Sequence, residues 1–438
     1  MSGPLIGTLC IGGMLVLMFL RVPIAVSMFV SGSIGYISVA GLTPLLGFLK
    51  SNPYSQLSSY SLSVVPMFLL MGHLATHAGI SKALFRAANA FFGSWRGGLS
   101  IASIGGCAMF GAISGSSLAT AATMGKVALP EMKRFNYSGA LATGSLAAGG
   151  TLGILIPPSV ILVIYAIITE QNVAKMFLAA FIPGFIAALG YMITVSIYVR
   201  IYPEAGPAGD KADAKEKIDA LIGVIPAAIL FVVVIGGIYA GVFTPTEAAT
   251  FGVVGTGLLA WWNGINKEEM AESLTGTAVT TGMIYMILLG ANIFNAFLTQ
   301  TQLPQTLAQV IGDSGYSPML VLMLILLMYL ILGCVMDSLS MILLTIPIFF
   351  PIIQVLDFGL GPEEAAIWFG IIALIVVEVG LITPPVGLNV FVINKLAKDV
   401  PMVESFKGVM PFLISDFIRV AILVAFPSLT LYLVRVLY

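Results

Sequence analysis

The sequence predicts an all-α polytopic membrane protein built from two inverted repeats, each with a re-entrant helical hairpin and a Pro-Pro-broken transmembrane helix. Three observations carry this. The 438 residues are 59% hydrophobic and only 9% charged, with mean hydropathy +1.05, where a soluble domain has about 25% charged residues. Apolar stretches of spanning length recur along the whole chain, and around 20 apolar residues suffice to cross the hydrocarbon core. Helix-breaking motifs recur in the same order in both halves.

Taken in order, the apolar stretches are 5–20, 23–42, 57–78, 177–199, 219–241, 247–262, 276–298, 319–334, 365–382 and 412–434. The first ends on Arg21 without a small-residue cleavage site, so it reads as a retained helix. The one clearly polar linker, 202–218, YPEAGPAGDKADAKEKI, separates a first repeat, 1–201, from a second, 219–438. Landmarks match across it. Val22-Pro23-Ile24-Ala25 corresponds to Thr244-Pro245-Thr246-Glu247, and Gly111 to Gly333, both at an offset of 222. Pro157-Pro158 corresponds to Pro384-Pro385 at 227. Ordered landmarks at nearly one offset argue for an internal repeat.

Within each repeat a Gly/Ser-rich break precedes a Pro-Pro break. Residues 111–120 read GAISGSSLAT and 149–159 read GGTLGILIPPS, while 333–342 read GCVMDSLSMI and 380–389 read GLITPPVGLN. The predicted hairpins are 97–126 and 317–350, and the predicted broken helices are 138–170 and 363–394. Short amphipathic arms precede the hairpins at 80–92 and 303–313 and fit segments lying along the interface.

Charge sets the topology. With the N-terminus outside, only Lys50, Lys175 and Arg435 of the 19 basic residues fall outside, and Arg419 falls within a span. Basic residues favour the cytoplasmic side. That assignment requires both hairpins to be re-entrant. The first repeat then starts outside and the second inside, so the two are inverted.

Backbone that leaves the helix at membrane depth must be buried in protein or line a polar cavity. Its recurrence at corresponding positions points to a transporter binding site. At the first tip, Gly111, Ser114, Ser116 and Ser117 offer carbonyl and hydroxyl oxygens of the kind a sodium ion binds. The helix start near Ser116 suits an anionic substrate. Small-residue helix packing is the competing reading. At the second tip, Gly333 and Ser338 flank Asp337, a carboxylate at membrane depth that either balances a cation or caps the following helix. The Pro-Pro breaks should free carbonyls of Gly153 and Gly380. Thr383 adds a hydroxyl for a cation. Pro158 and Asn389 are placed at the substrate, with helix–helix hydrogen bonding the alternative for Asn389.

Other ionisable groups read more plainly. His73 and His77 lack a third metal ligand, and Glu247 suits a helix start. Asp416 and Arg419 are spaced to pair. Glu378 is either a pathway residue or part of a scaffold ion pair. Cys10, Cys107 and Cys334 show neither metal nor disulfide spacing. There is no phosphate-binding loop, catalytic triad or dense basic patch, so an ATP-driven pump, an enzyme and nucleic-acid binding are all disfavoured.

At PMFLLMGHLATHAGI (66–80), FGAISGSSLATAATMGKVALPEM (110–132), GTLGILIPPS (150–159), VFTPTEAA (242–249), GCVMDSLSMILLTIPIFFP (333–351) and GLITPPVGLNVFVI (380–393), the chain resembles the large membrane subunit of tripartite ATP-independent periplasmic (TRAP) transporters, the DctM-like family. The resemblance covers essentially the whole chain. It implies a bacterial inner-membrane importer with Na+ as coupling ion, carrying organic acid anions such as C4-dicarboxylates or sialic acid. It also implies a periplasmic substrate-binding protein and a small four-helix DctQ-like membrane subunit as partners in the lipid bilayer, and an elevator-type mechanism. In this reading Gly111, Ser114, Ser117, Gly153, Gly333, Asp337, Gly380 and Thr383 hold sodium, while Ser116, Pro158, Ser338 and Asn389 face substrate. An autonomous sodium/dicarboxylate symporter and an ion channel are the alternative readings.

Overall fold

The computed structural model describes residues 2–313 and 315–438. Met1, in the first repeat, and Ser314, in the outward flank of the second hairpin, lie outside the described residues. Among the described residues the chain is helical, with no strand. Among the described residues five helices are long and apolar enough to cross a membrane: Val173–Ile201, Ala214–Tyr239, Lys267–Thr301, Ser338–Val355 and Met402–Ala425. Two bent pairs add candidates, Leu42–Leu57 with Tyr60–His77 at 53° and Gly139–Leu155 with Val160–Ile168 at 43°. Unlike the expected 412–434 stretch, the last apolar segment is broken at Phe426, where Met402–Ala425 ends and Pro427–Leu437 begins. Proline at a first helical position cannot supply the bond that would continue the preceding helix.

Local chemistry sets many helix starts. Thr244 and Glu247 form a reciprocal capping box at the start of Pro245–Trp262. Asn266 and Glu269 do the same for Lys267–Thr301. The amphipathic arms are the helices Ile80–Phe92 and Leu303–Asp313.

The helix Ile24–Ala40 runs along Lys267–Thr301. Glycines set that approach: a Cβ on Gly32 would lie 2.8 Å from Phe294 Cα, and one on Gly290 would lie 2.5 Å from the Ala25 carbonyl oxygen. Val64–His77 packs on Pro245–Trp262, and Ile80–Phe92 on Ala214–Phe231. Ile80–Phe92 also packs on Gly98–Ser114 and so joins these helices, the first body, to a second body that holds the helix breaks.

The second body is interlocked. The hairpin Gly98–Ser114/Ser117–Arg134 packs on Gly139–Leu155, and Pro318–Gly333/Ser338–Val355 packs on Pro362–Gly380. Beyond each break, the short continuing helix crosses to the other half. Val160–Ile168 lies on Ser338–Val355, and Leu388–Leu396 lies on Ser117–Arg134. Tyr165 donates its hydroxyl to the Ala366 carbonyl at 2.7 Å, and Asn389 donates to the Ala147 carbonyl at 3.4 Å. Phe369, Ile372 and Ile375 of Pro362–Gly380 are wholly buried, so the helix that precedes the second break is a core element and not a lipid-facing one.

Ion pairs tie segments together at the ends. Lys175 donates to Glu363 at 2.6 Å, and Arg435 donates to both oxygens of Glu364 at 2.7 and 2.8 Å. The Arg435 hydrogen bonds hold the Glu364 carboxyl below its ordinary range. Lys133 pairs with Asp399 elsewhere. Asp416 and Arg419 pair at 2.7 Å inside the protein, with the Tyr191 hydroxyl donating to Asp416 at 3.0 Å.

Candidate functional site at the helix breaks

Each hairpin touches its broken helix glycine to glycine. A Cβ on Gly111 would overlap Gly153 Cα. A Cβ on Gly333 would lie 3.0 Å from Gly380 Cα, and one on Gly380 would lie 2.6 Å from the Gly333 carbonyl carbon. Gly153 and Gly380 each stand four residues before the first proline of a cis Pro-Pro pair, 157-158 and 384-385. The same small-residue crossing therefore brings backbone oxygens close to a hairpin tip in both places.

At the first tip, Gly98–Ser114 ends on Gly115 at φ +62°, and Ser117–Arg134 begins after Ser116. Only glycine adopts that left-handed backbone without cost. A Cβ there would also lie 2.9 Å from the Pro158 carbonyl oxygen. The Ser114 and Thr120 hydroxyls hydrogen-bond at 2.7 Å, and both residues are buried. Ser116 is half-buried and caps the following helix through the Ala119 amide at 3.4 Å. The Gly153 carbonyl has no helical donor, because the donor would be residue 157, a proline without an N–H. Ser114, Ser117, Gly153 and Pro158 are thus gathered in one place.

The second tip differs in detail. Asp337 is half-buried and is the N-cap of Ser338–Val355. Its two oxygens receive the Ser340 amide at 3.1 Å and the Ser340 hydroxyl at 2.6 Å. Thr383 donates to the Val379 carbonyl at 2.7 Å, so its lone pairs remain for another donor or a cation. The Gly380 carbonyl is not free, as the proline argument suggested. It accepts the Thr383 amide at 3.0 Å, because the chain tightens into a turn before Pro384. Asn389 is fully buried, and its side-chain oxygen has no hydrogen-bond partner. Its contact to Ala147 bridges the two broken helices.

Sequence reasoning left Glu378 undecided, and its position is central. It is fully buried and accepts the Ser338 hydroxyl at 2.6 Å. The Ser117 hydroxyl of the other hairpin faces the same carboxyl, while its Oε2 makes no hydrogen bond. One side chain thus meets the first helical turn beyond both tips. The available signal was its charge inside an apolar run two residues before Gly380, since intramembrane ionisable groups are functional by default. Ser340, the partner of Asp337, was not separable from an ordinary hydroxyl in the sequence. A cleft of about 580 Å³ lined by Phe91, Met109, Phe185 and Phe231 reaches Ile113 and Ile156 beside the first break, but its lining is apolar. It offers no chemistry for an ion or a polar solute.

Comparison with known proteins settles the family. The model of the DctM component of the tripartite ATP-independent periplasmic transporters matches residues 11–429. The chain belongs to the DctM family. It is 36% identical over 374 residues to the C4-dicarboxylate TRAP transporter large permease protein DctM of Pseudomonas aeruginosa, covering 85% of this chain and 86% of that one. It is 31% identical to the sialic acid TRAP transporter large permease protein SiaM of Vibrio cholerae, with 96% of each chain covered. As a DctM-family protein it is a TRAP transporter large permease, and the charge-poor, all-helical architecture fits that class. Among solved structures, the Alcanivorax borkumensis YdaH transporter superposes with a TM-score of 0.61 at 11% identity, covering 86% of this chain and 88% of that one. That likeness concerns the fold alone.

Proposed function

We propose that this DctM-family permease is a sodium-coupled importer of organic acid anions, fed by a periplasmic substrate-binding protein and working with a small four-helix membrane subunit in a bacterial inner membrane. The observation that carries the reading is the doubled arrangement of hairpin glycine, broken-helix glycine and tip hydroxyls, with Glu378 between the two. Gly111, Ser114, Ser117 and Gly153 would hold one sodium ion, and Gly333, Asp337, Gly380 and Thr383 a second. The fit is chemical: these are hydroxyl, carboxylate and backbone oxygens, the ligands of a hard cation. Ser116, Pro158, Ser338 and Asn389 would face the substrate. Of these, Ser116 carries the free amides of a helix start toward an anion.

The doubled breaks and the crossing of each short continuing helix onto the other half support two inverted repeats, 1–201 and 219–438. They also support an elevator movement. The interlocked hairpins and broken helices would slide as one unit against the body formed by Ile24–Ala40, Pro245–Trp262 and Lys267–Thr301. A channel reading has less support, since polar groups gather at two tips and not along a continuous pore. The substrates of relatives, C4-dicarboxylates for DctM and sialic acid for SiaM, set the class to test first.

The test is uptake of a panel of organic acids into proteoliposomes holding the permease and small subunit, with the cognate binding protein added. Uptake should need an inward sodium gradient and no ATP. Full activity with potassium replacing sodium on both sides would overturn the coupling. Full activity without the binding protein would favour an autonomous symporter.

A further inference from the structure

A second polar region lies away from the helix breaks. A cavity of about 440 Å³ opens between the two bodies, and its walls differ in kind. Asn52, Ser55, Gln56 and Ser59, from the bend around residue 58, and Asn292 and Asn295, from Lys267–Thr301, form the polar part of one wall, which Leu288 also lines. Ile167, Ile168 and Leu343, from the broken-helix and hairpin body, form the other. The lining contains no charged residue.

The polar wall is incompletely satisfied. The Asn292 amide nitrogen donates to the Asn52 side-chain oxygen at 3.3 Å. The side-chain oxygens of Gln56 and Asn295 are buried without partners. A buried polar group without a partner is costly, and two on one wall call for a ligand or water to offset them. A volume of this order suits a small organic molecule.

We propose that this cavity is a second substrate subsite, a waiting position for a hydroxylated organic acid before it reaches the helix breaks. Side-chain amides present both an N–H and a carbonyl. The N–H groups of Asn52, Gln56 and Asn295 and the Ser55 and Ser59 hydroxyls meet the carboxylate. The unpartnered amide oxygens accept from the hydroxyls of the solute. An uncharged wall holds an anion weakly enough to release it, which a lysine or arginine at this depth would not. The apolar opposite wall makes no hydrogen bond to the solute, so the hairpin body moves past without first breaking one. The proposal deepens the transport reading above and rests on it for the identity of the solute class.

The test pairs two readouts. In the reconstituted system, malate and succinate are compared, with N-acetylneuraminate and its 4-deoxy analogue as a second pair. Asn295→Leu and Gln56→Leu should lower uptake of the hydroxyl-bearing member at least about fivefold more than that of its partner, because a site built to bond a hydroxyl discriminates by that bond. Equal losses for both members, or none, would overturn the subsite. The second readout needs no transport. Asn295→Cys, in purified protein with the native cysteines replaced, should react with a water-soluble anionic thiosulfonate, and malate or N-acetylneuraminate should slow that reaction at least about threefold. A thiol that does not react, or reacts at the same rate with either acid, would also overturn it. Protection without sodium-driven uptake would uphold the subsite and count against the coupled-transport reading alone.

Discussion

Ser338 donates its hydroxyl to Glu378 at 2.6 Å, at the point where the Ser117 hydroxyl of the other hairpin faces the same carboxyl. One buried side chain on Pro362–Gly380 therefore stands between the two helix breaks, bonded to the second and facing the first. Among the described residues no lysine or arginine forms an ion pair with Glu378; Ser338 bonds it directly, and Arg419 acts on it from farther away. Glu378→Gln keeps an acceptor for Ser338 and should retain much of the transport. Glu378→Ala leaves both hydroxyls without it and should cost about 1–3 kcal/mol in stability. Uptake should fall at least about tenfold in the alanine variant relative to the glutamine variant. Equal activity of the two, measured at matched protein levels, would remove Glu378 from the coupling of the tips.

The glycine crossings give a second prediction. Gly380→Ala would place a methyl 2.6 Å from Gly333, and relief of that overlap moves the hairpin off the broken helix. Overpacking of this kind costs about 1–3 kcal/mol. The half-saturation for sodium should rise several-fold in Gly380→Ala and in Gly153→Ala, more than in Gly12→Ala, where a Cβ meets nothing within 4 Å. Thermal shift measures the cost, and uptake against sodium concentration measures the function.

The breaks were legible because proline and glycine act locally. Pro157-Pro158 and Pro384-Pro385 end a helix whatever surrounds them, and the glycine-rich stretches could be paired by offset alone. The relation of Glu378 to Ser117 was not legible, because 261 positions separate them in the chain and no periodicity encodes that meeting. The fate of the Gly380 carbonyl was misread for a related reason. Loss of the proline N–H was visible, but the turn that brings the Thr383 amide back to it was not. The polar wall of Asn52, Gln56, Asn292 and Asn295 was equally hidden, since its residues come from two distant segments and look like ordinary amides in each.

Asp337 separates capping from charge. Both its oxygens serve Ser340, and asparagine is as good an N-cap as aspartate. Asp337→Asn should therefore leave the melting temperature nearly unchanged while raising the half-saturation for sodium several-fold, through loss of a fixed negative charge near the cation. Asp337→Ala should lose both, with about 1 kcal/mol from the cap. An unchanged sodium dependence in the asparagine variant would assign Asp337 to capping alone.

The pair Arg435–Glu364 gives a pH dependence. Its Glu364 carboxyl is held below the ordinary range by Arg435, so the folded state binds that proton more weakly than the unfolded chain. The stabilisation is fully present above the unfolded carboxylate value and is lost as pH falls through the lower folded value. Both side chains are partly exposed, which limits the contribution to about 0.2–1 kcal/mol. The stability difference between wild type and Glu364→Gln should be constant through neutral pH and shrink in acid. A difference that grows on acidification would contradict this pairing.

Motion is tested across the cavity between the bodies. Leu288, on Lys267–Thr301, and Leu343, on Ser338–Val355, line it from opposite sides. If the hairpin body slides, a bridge between them holds it in one position. Leu288→Cys with Leu343→Cys, in a background where Cys10, Cys107 and Cys334 are alanine, should keep transport while the thiols are free. A short reducible bifunctional reagent should then abolish uptake, and reductant should restore it. Each single cysteine treated in the same way should keep most of its activity, which separates bridging from plugging of the cavity. Undiminished uptake with the bridge fully formed would mean that substrate crosses without displacement of the second hairpin relative to Lys267–Thr301.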